Sequence, residues 1–151
     1  MTPIIVTGHG EFASALEKTM EYVIGPQENI YFVNFNNGMG NTELEEKLRK
    51  IVSETESEEI IFLADIVGGT PFSTAVLISQ DMPKNRVFGG CNMPMLFAAL
   101  EMREEGTAEE IAEDILADAK TNTALLKILY AVVNLMILKM VFKINKKAKI
   151  L

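Results

Sequence analysis

Short apolar runs of strand length alternate with apolar residues at helical spacing along most of the chain, and this alternation limits the fold to a parallel sheet with crossover helices. Ile4 to Thr7 reads as the first strand. Phe12, Ala15, Leu16, Thr19, Met20 and Val23 then recur on one helical face, and Gly25-Pro26 stops that helix. Ile30 to Phe35 is the second strand. The polar stretch Asn36 to Asn41 leads to Thr42, with Glu45 three positions on, a capping box for a helix through Leu44, Leu48, Ile51 and Val52. Glu59 to Ala64 is the third strand. Thr70 is placed as N-cap and Pro71 as first residue of a helix reaching about Ser79. Arg86 to Phe88 is the fourth strand, followed by a helix carrying Met95, Leu96, Ala99 and Leu100 that Gly106 closes. Thr107 with Glu110 caps one more helix. The expected fold is α/β: an open parallel four-stranded sheet with helices on both faces.

With 151 residues, 48% of them apolar, one domain is expected, and at this length roughly two-thirds of the unfolded surface can be buried without staples. The single cysteine, Cys91, excludes an internal disulfide; with one histidine beside it, a zinc cluster of the usual ligands is also excluded, and the cytosol is the expected compartment. Met1-Thr2-Pro3-Ile4 has neither a basic n-region nor a long apolar h-region, so no secretory leader is expected there. All 21 acidic residues lie at or before Asp118 beside seven basic ones, giving residues 1–118 a net charge of −14, while the last 33 residues carry +7. So acidic a body does not bind nucleic acid phosphates over its general surface; a basic protein partner fits it better.

The tail is a separate problem. Ala124 to Phe142 is apolar apart from Lys127, Tyr130, Asn134 and Lys139, and Lys143, Lys146, Lys147 and Lys149 follow. Nineteen residues are long enough for a bilayer, but Asn134 at the centre and the two interior lysines oppose that reading. The expectation is a domain over 1–120 and an atypical tail over 121–151, with a core helix near 124–133 and a strand near 136–143, or a membrane-surface contact through the lysines.

In open parallel sheets ligands bind beyond the carboxyl ends of strands, where the strand order reverses. Here the first strand ends in Thr7-Gly8-His9-Gly10 and the third in Asp65-Ile66-Val67-Gly68-Gly69-Thr70. Each opens onto a helix N-terminus, whose free N–H groups and dipole favour an anion. Neutral imidazole is a nucleophile near physiological pH, and a carboxylate that accepts the N–H of one ring nitrogen leaves the other as the attacking lone pair. Asp65 is the candidate carboxylate, Nδ1 of His9 the nitrogen it would hold, and loop N–H groups the oxygen binders. Such a reaction needs no metal and no cofactor.

Taken singly these residues are ordinary: a histidine in a glycine turn is often a loop residue, GGTP a plain helix start, and Cys91 a small buried residue. The convergence of three loops on one edge is what favours chemistry. A second reading remains: Gly8-x-Gly10-x-x-Ala13 after a strand is a loose dinucleotide fingerprint, although the second strand ends in Asn34, Phe35 and Asn36 without the acidic residue that holds a ribose.

Three segments, IIVTGHGEFASALEKTMEYVIG, IIFLADIVGGTPFSTAV and GGCNMPMLFAAL, carry a resemblance. In order and spacing they are similar to the enzyme IIA domain of mannose-family sugar phosphotransferase systems, a phosphotransferase. The resemblance implies His9 as the phosphorylated residue, Asp65 as its orienter, Gly10, Gly68, Gly69 and Thr70 as phosphoryl-binding residues, and Asn92, Met93 and Pro94 lining a third side. It implies the phosphohistidine carrier HPr as donor, enzyme IIB as acceptor, the membrane components IIC and IID as indirect partners at the inner face of the membrane, and a homodimer that exchanges an antiparallel C-terminal strand. A regulatory relative, of the kind serving a dihydroxyacetone kinase, and a noncovalent nucleotide-binding module are the alternatives. The sugar stays open, since such a domain carries phosphate and never touches it.

Overall fold

The computed structural model describes residues 1–118. The helix and strand expected near 124–133 and 136–143, the alternative bilayer span and any exchanged strand fall outside the described residues. The elements run β1 (Ile4–His9), α1 (Phe12–Ile24), β2 (Ile30–Phe35), α2 (Asn41–Thr55), β3 (Ile61–Ala64), α3 (Thr70–Ser79), β4 (Arg86–Gly89) and α4 (Met93–Met102), followed by a helical segment α5 over 108–118. The four strands form one parallel sheet in the order β2-β1-β3-β4. From β1 the chain steps outward to β2, then crosses back to β3 on the other side. The order therefore reverses between β1 and β3.

Alternate residues of β1 feed opposite layers. Ile4 and Val6 pack with Ala13 and Met20 of α1, Leu96 and Ala99 of α4, and Ile111 and Ile115 of α5. Ile5 joins Leu44 and Leu48 of α2 and Ala75 and Ile78 of α3 on the other side. Both faces of the sheet are covered, which is why β3 reads as an unbroken apolar run, Ile61-Phe62-Leu63-Ala64, with every residue buried. Burying each such side chain contributes roughly 1.5–3 kcal/mol, so the two central strands are the anchored part of the molecule and a rigid base for the loops at their ends.

Several boundaries differ from the sequence expectations for local reasons. β1 continues to His9 because Gly8 and His9 still pair with Asn34 and Phe35 of β2. β3 starts at Ile61 because the N–H of Ile60 is taken by the side-chain oxygen of Asn85 (2.8 Å). Thr42 and Glu45 do not form the expected capping box: α2 begins at Asn41 with Gly40 as its cap, and Glu45 instead accepts from Arg49 (2.8 Å). Likewise Gly69, not Thr70, caps α3, because its extended backbone lets its carbonyl accept the N–H of Ser73 (2.9 Å). The box at Thr107 and Glu110 does form: Glu110 accepts the N–H of Thr107 (2.9 Å), and the Thr107 hydroxyl accepts the N–H of Glu110 (3.3 Å).

Candidate functional site

His9 ends β1 and Asp65 directly follows the last residue of β3, the two strands that flank the reversal, and their parallel register brings the two residues together. Oδ2 of Asp65 accepts both the backbone N–H of His9 and its ring Nδ1–H, each at 2.8 Å. Oδ1 accepts the N–H of Ile66, also at 2.8 Å. Three donors thus fix one carboxylate whose side chain is only 9% exposed, whereas the His9 ring is 42% exposed. A carboxylate only accepts, so Nδ1 is the donor and the neutral ring keeps its lone pair on Nε2. The rings of His9 and Phe35 also meet in an edge-to-face arrangement, at a centroid distance of 5.6 Å and an angle of 75°.

The glycines serve this contact in different ways. A side-chain carbon at Gly8 would lie 2.5 Å from the Phe12 ring and 3.0 Å from Cβ of Asp65, so its absence is what lets the third strand's carboxylate approach the first strand's histidine. Gly10 has φ +58°, where L residues are strained, and it turns the chain from β1 into α1 while its N–H donates to the carbonyl of Phe35 (2.9 Å). Gly69 lies against the ring: a carbon added there would sit 2.9 Å from Cε1 of His9. The N-terminus of α3 therefore borders the ring edge between the two nitrogens. Among the described residues, the N–H groups of Thr70 and Phe72 in its first turn have no hydrogen-bond partner, and Pro71 between them has no N–H to offer.

The loop after β4 is tied to Asp65 through backbone: the N–H of Gly90 donates to the Asp65 carbonyl (3.1 Å) and that of Cys91 to Ala64 (2.9 Å). Cys91 is buried, and its thiol is pushed up to about 12, first by burial and then by the nearby Asp65 charge. Asn92 caps α4, its side-chain oxygen accepting the N–H of Met95 at 3.0 Å, with Met93 and Pro94 in the first turn. The hydrogen bonds of the His9 side chain run to Asp65 alone among the described residues, so Asn92, Met93 and Pro94 make none to the ring. Phe35 is the participant that sequence reasoning missed; it was in principle accessible, as the residue opposite His9 once both strands are carried to their ends. Among the described residues no helix is long and apolar enough to cross a membrane.

These features agree with known proteins. Residues 3–116 match the family model for the fructose IIA component of the phosphotransferase system. The chain is 30% identical over 118 residues to the fructose-specific EIIA component of Bacillus subtilis, covering 78% of this chain and 81% of that protein. It is 36% identical over 107 residues to the mannose-specific EIIAB component of Escherichia coli, covering 70% of this chain but about a third (33%) of that longer protein. Among solved structures, the phosphotransferase system EIIA component of Streptococcus agalactiae superposes with a TM-score of 0.76 at 27% identity, covering 81% of this chain and 95% of that one. A sheet order that reverses beside an oriented histidine, and matches of this extent, lead to one assignment: the chain belongs to the mannose-family EIIA components, the phosphocarriers of the sugar phosphotransferase system.

Proposed function

We propose that His9 is the phosphoryl acceptor, taking the group from the phosphohistidine of HPr and passing it to enzyme IIB. The observation that carries this reading is the 2.8 Å bond from Nδ1 to Asp65, which leaves Nε2 of a partly exposed ring as the nucleophile. In the transfer the donor's P–N bond breaks, its ring nitrogen recovers the electron pair, and a new P–N bond forms to Nε2 of His9. The His9 ring becomes cationic as it accepts the group, and the Asp65 carboxylate on the far nitrogen stabilises that charge. Nε2 is bonded to Cε1, the atom that Gly69 borders, and this supports the first turn of α3, with the N–H groups of Thr70 and Phe72, as the binder of the phosphoryl oxygens. Gly10 and Gly68 keep the two loop backbones open to it. Enzyme IIB reverses the same step, and the components IIC and IID reach this chain only through it. The same reading takes residues 1–120 as the working domain and a homodimer as the assembled form.

The test is intact-mass spectrometry after incubation with phosphoenolpyruvate, enzyme I and HPr, beside His9→Ala and Asp65→Ala. The expected result is a single acid-labile phosphoryl adduct, absent in His9→Ala and formed slowly in Asp65→Ala. An unmodified wild type in the presence of phosphorylated HPr would overturn the assignment.

A further inference from the structure

α1 starts two residues after Gly10 without a cap of its own, since the side chain of Glu11 in the N-cap position makes no capping hydrogen bond. The neighbouring strand supplies one instead. Oδ1 of Asn34 accepts the backbone N–H of Ser14 (3.1 Å), and its Nδ2 donates to the Ser14 hydroxyl (2.9 Å), which donates in turn to the Glu11 carbonyl (3.1 Å). An amide suits this place because it accepts and donates at once. Asn34 and Phe35 stand opposite Gly8 and His9 in the register of β1 with β2, and the Phe35 carbonyl takes the N–H of Gly10 (2.9 Å). The end of β2 thus grips residues 10–14, the stretch that follows the histidine, as Asp65 grips the histidine itself.

This contact does more than cap a helix. Gly10, at φ +58°, is the joint between His9 and α1, and a glycine has the widest choice of backbone conformations, so the joint does not hold its own angle. Without the bonds of Asn34 the turn is free to open and to carry His9 away from the first turn of α3. Oδ1 and Nδ2 of Asn34 are both engaged within the chain, which leaves the amide no part in meeting a donor.

We propose that Asn34 is a positioning residue of the phosphoryl transfer: acting through Ser14, it locks the turn at Gly10 and Glu11 and so fixes where Nε2 of His9 stands relative to the N-terminus of α3. The inference rests on the His9 assignment above. Its consequence is kinetic, because displacing an attacking atom by about 1 Å costs up to ~10²-fold in rate. The loss falls on kcat and leaves the affinity for the donor as it was.

The experiment measures the initial rate of phosphorylation against the concentration of phospho-HPr for wild type, Asn34→Ala, Asn34→Asp, Ser14→Ala and Asn85→Ala, with phosphoramidate as a small chemical donor in parallel. Asn34→Ala is expected to lower kcat about tenfold with KM within about twofold, and to slow labelling by phosphoramidate by the same factor. Asn34→Asp keeps an acceptor for the Ser14 N–H and hydroxyl, and restores kcat to within about threefold of wild type. Ser14→Ala breaks the same chain of bonds but spares the N–H, and should lower kcat about threefold; it carries the test if Asn34→Ala does not fold. Asn85→Ala is the control for stability alone: Asn85 likewise accepts a backbone N–H, from Ile60 (2.8 Å), and donates to a hydroxyl, that of Ser79 (3.4 Å), but at the opposite end of the strands. It should lower Tm at least as far as Asn34→Ala and leave kcat at the wild-type value. Wild-type kcat in both Asn34→Ala and Ser14→Ala would overturn the proposal. So would an equal loss of kcat in Asn85→Ala, which would make the effect one of general stability. A loss confined to KM, or labelling of Asn34→Ala by phosphoramidate at the wild-type rate, would make Asn34 a donor contact and overturn it as well. A wild type labelled by neither donor refutes the His9 reading itself, which keeps the two failures distinct.

Discussion

Replacing Asp65 by asparagine probes the site with almost no change of shape. Three N–H groups converge on the two carboxylate oxygens: the backbone and Nδ1 of His9 on Oδ2, and the backbone of Ile66 on Oδ1. Asparagine has one oxygen and one NH₂, so whichever way it is turned, a donor faces a donor. With the oxygen toward His9, the NH₂ opposes Ile66. With the oxygen toward Ile66, the NH₂ opposes the His9 backbone and forces Nδ1 to become the acceptor, which moves the ring proton to Nε2 and removes the nucleophile. At least one charge-assisted hydrogen bond to a nearly buried group is lost, a cost of about 2 kcal/mol. For a domain of this size that is a fall of about 5–10 °C in Tm. Loss of tautomer control and of the charge that stabilises the developing imidazolium lowers the transfer rate by about 10²- to 10⁴-fold. Circular-dichroism melts read the first quantity and a quenched time course by intact mass reads the second. An Asp65→Asn chain phosphorylated at the wild-type rate would refute the claim that this carboxylate orients the histidine, whatever its stability.

Gly69→Ala places a carbon 2.9 Å from Cε1 of His9, and the ring must tilt away from α3; phosphorylation by HPr is expected to slow about tenfold by quenched time course, with a Tm change under ~4 °C. Asn92→Ala removes the cap of α4 and should cost about 1 kcal/mol by urea titration, while phosphorylation of His9 at 25 °C stays within about threefold, since the Asn92 oxygen is engaged with Met95. The Cys91 thiol should resist Ellman's reagent at pH 8 in the native chain and react fully in urea, because burial holds it protonated up to about 12. The folded state therefore keeps a proton that the unfolded thiol releases near pH 8.5. Stability falls as pH climbs from there toward 12, and Cys91→Ala abolishes that part of the slope in denaturant titrations.

Much of this fold was legible because its signals are local and redundant. The apolar runs at Ile4, Ile30, Ile61 and Arg86 to Phe88 all became strands, and the box at Thr107 formed as its spacing demands. The errors fall where a glycine precedes the expected capping residue by one or two positions. At both Gly40 and Gly69 the extended glycine takes the cap position, and the threonine that follows is absorbed into the first turn. Side-chain preference ranks serine and threonine above glycine as caps, but no local rule says where the preceding chain will leave its last extended residue. The capping role of Asn92, whose side-chain oxygen accepts the N–H of Met95, is likewise a local one that sequence analysis did not assign to it.

The sequence by itself determined the layered α/β class, the acidic character of the body, and the two strand ends that carry His9 and Asp65, because each depends on composition or on spacing within a few residues. Tertiary structure alone decided that these ends meet. Fifty-six residues separate them along the chain, and their contact at 2.8 Å depends on the parallel register of β1 with β3 and on the missing side chain at Gly8. Neither can be computed from local pattern, since register is a property of two distant strands and a steric gap belongs to the packed whole. The placement of Gly69 against the ring, and of Val67 against Gly89, has the same origin.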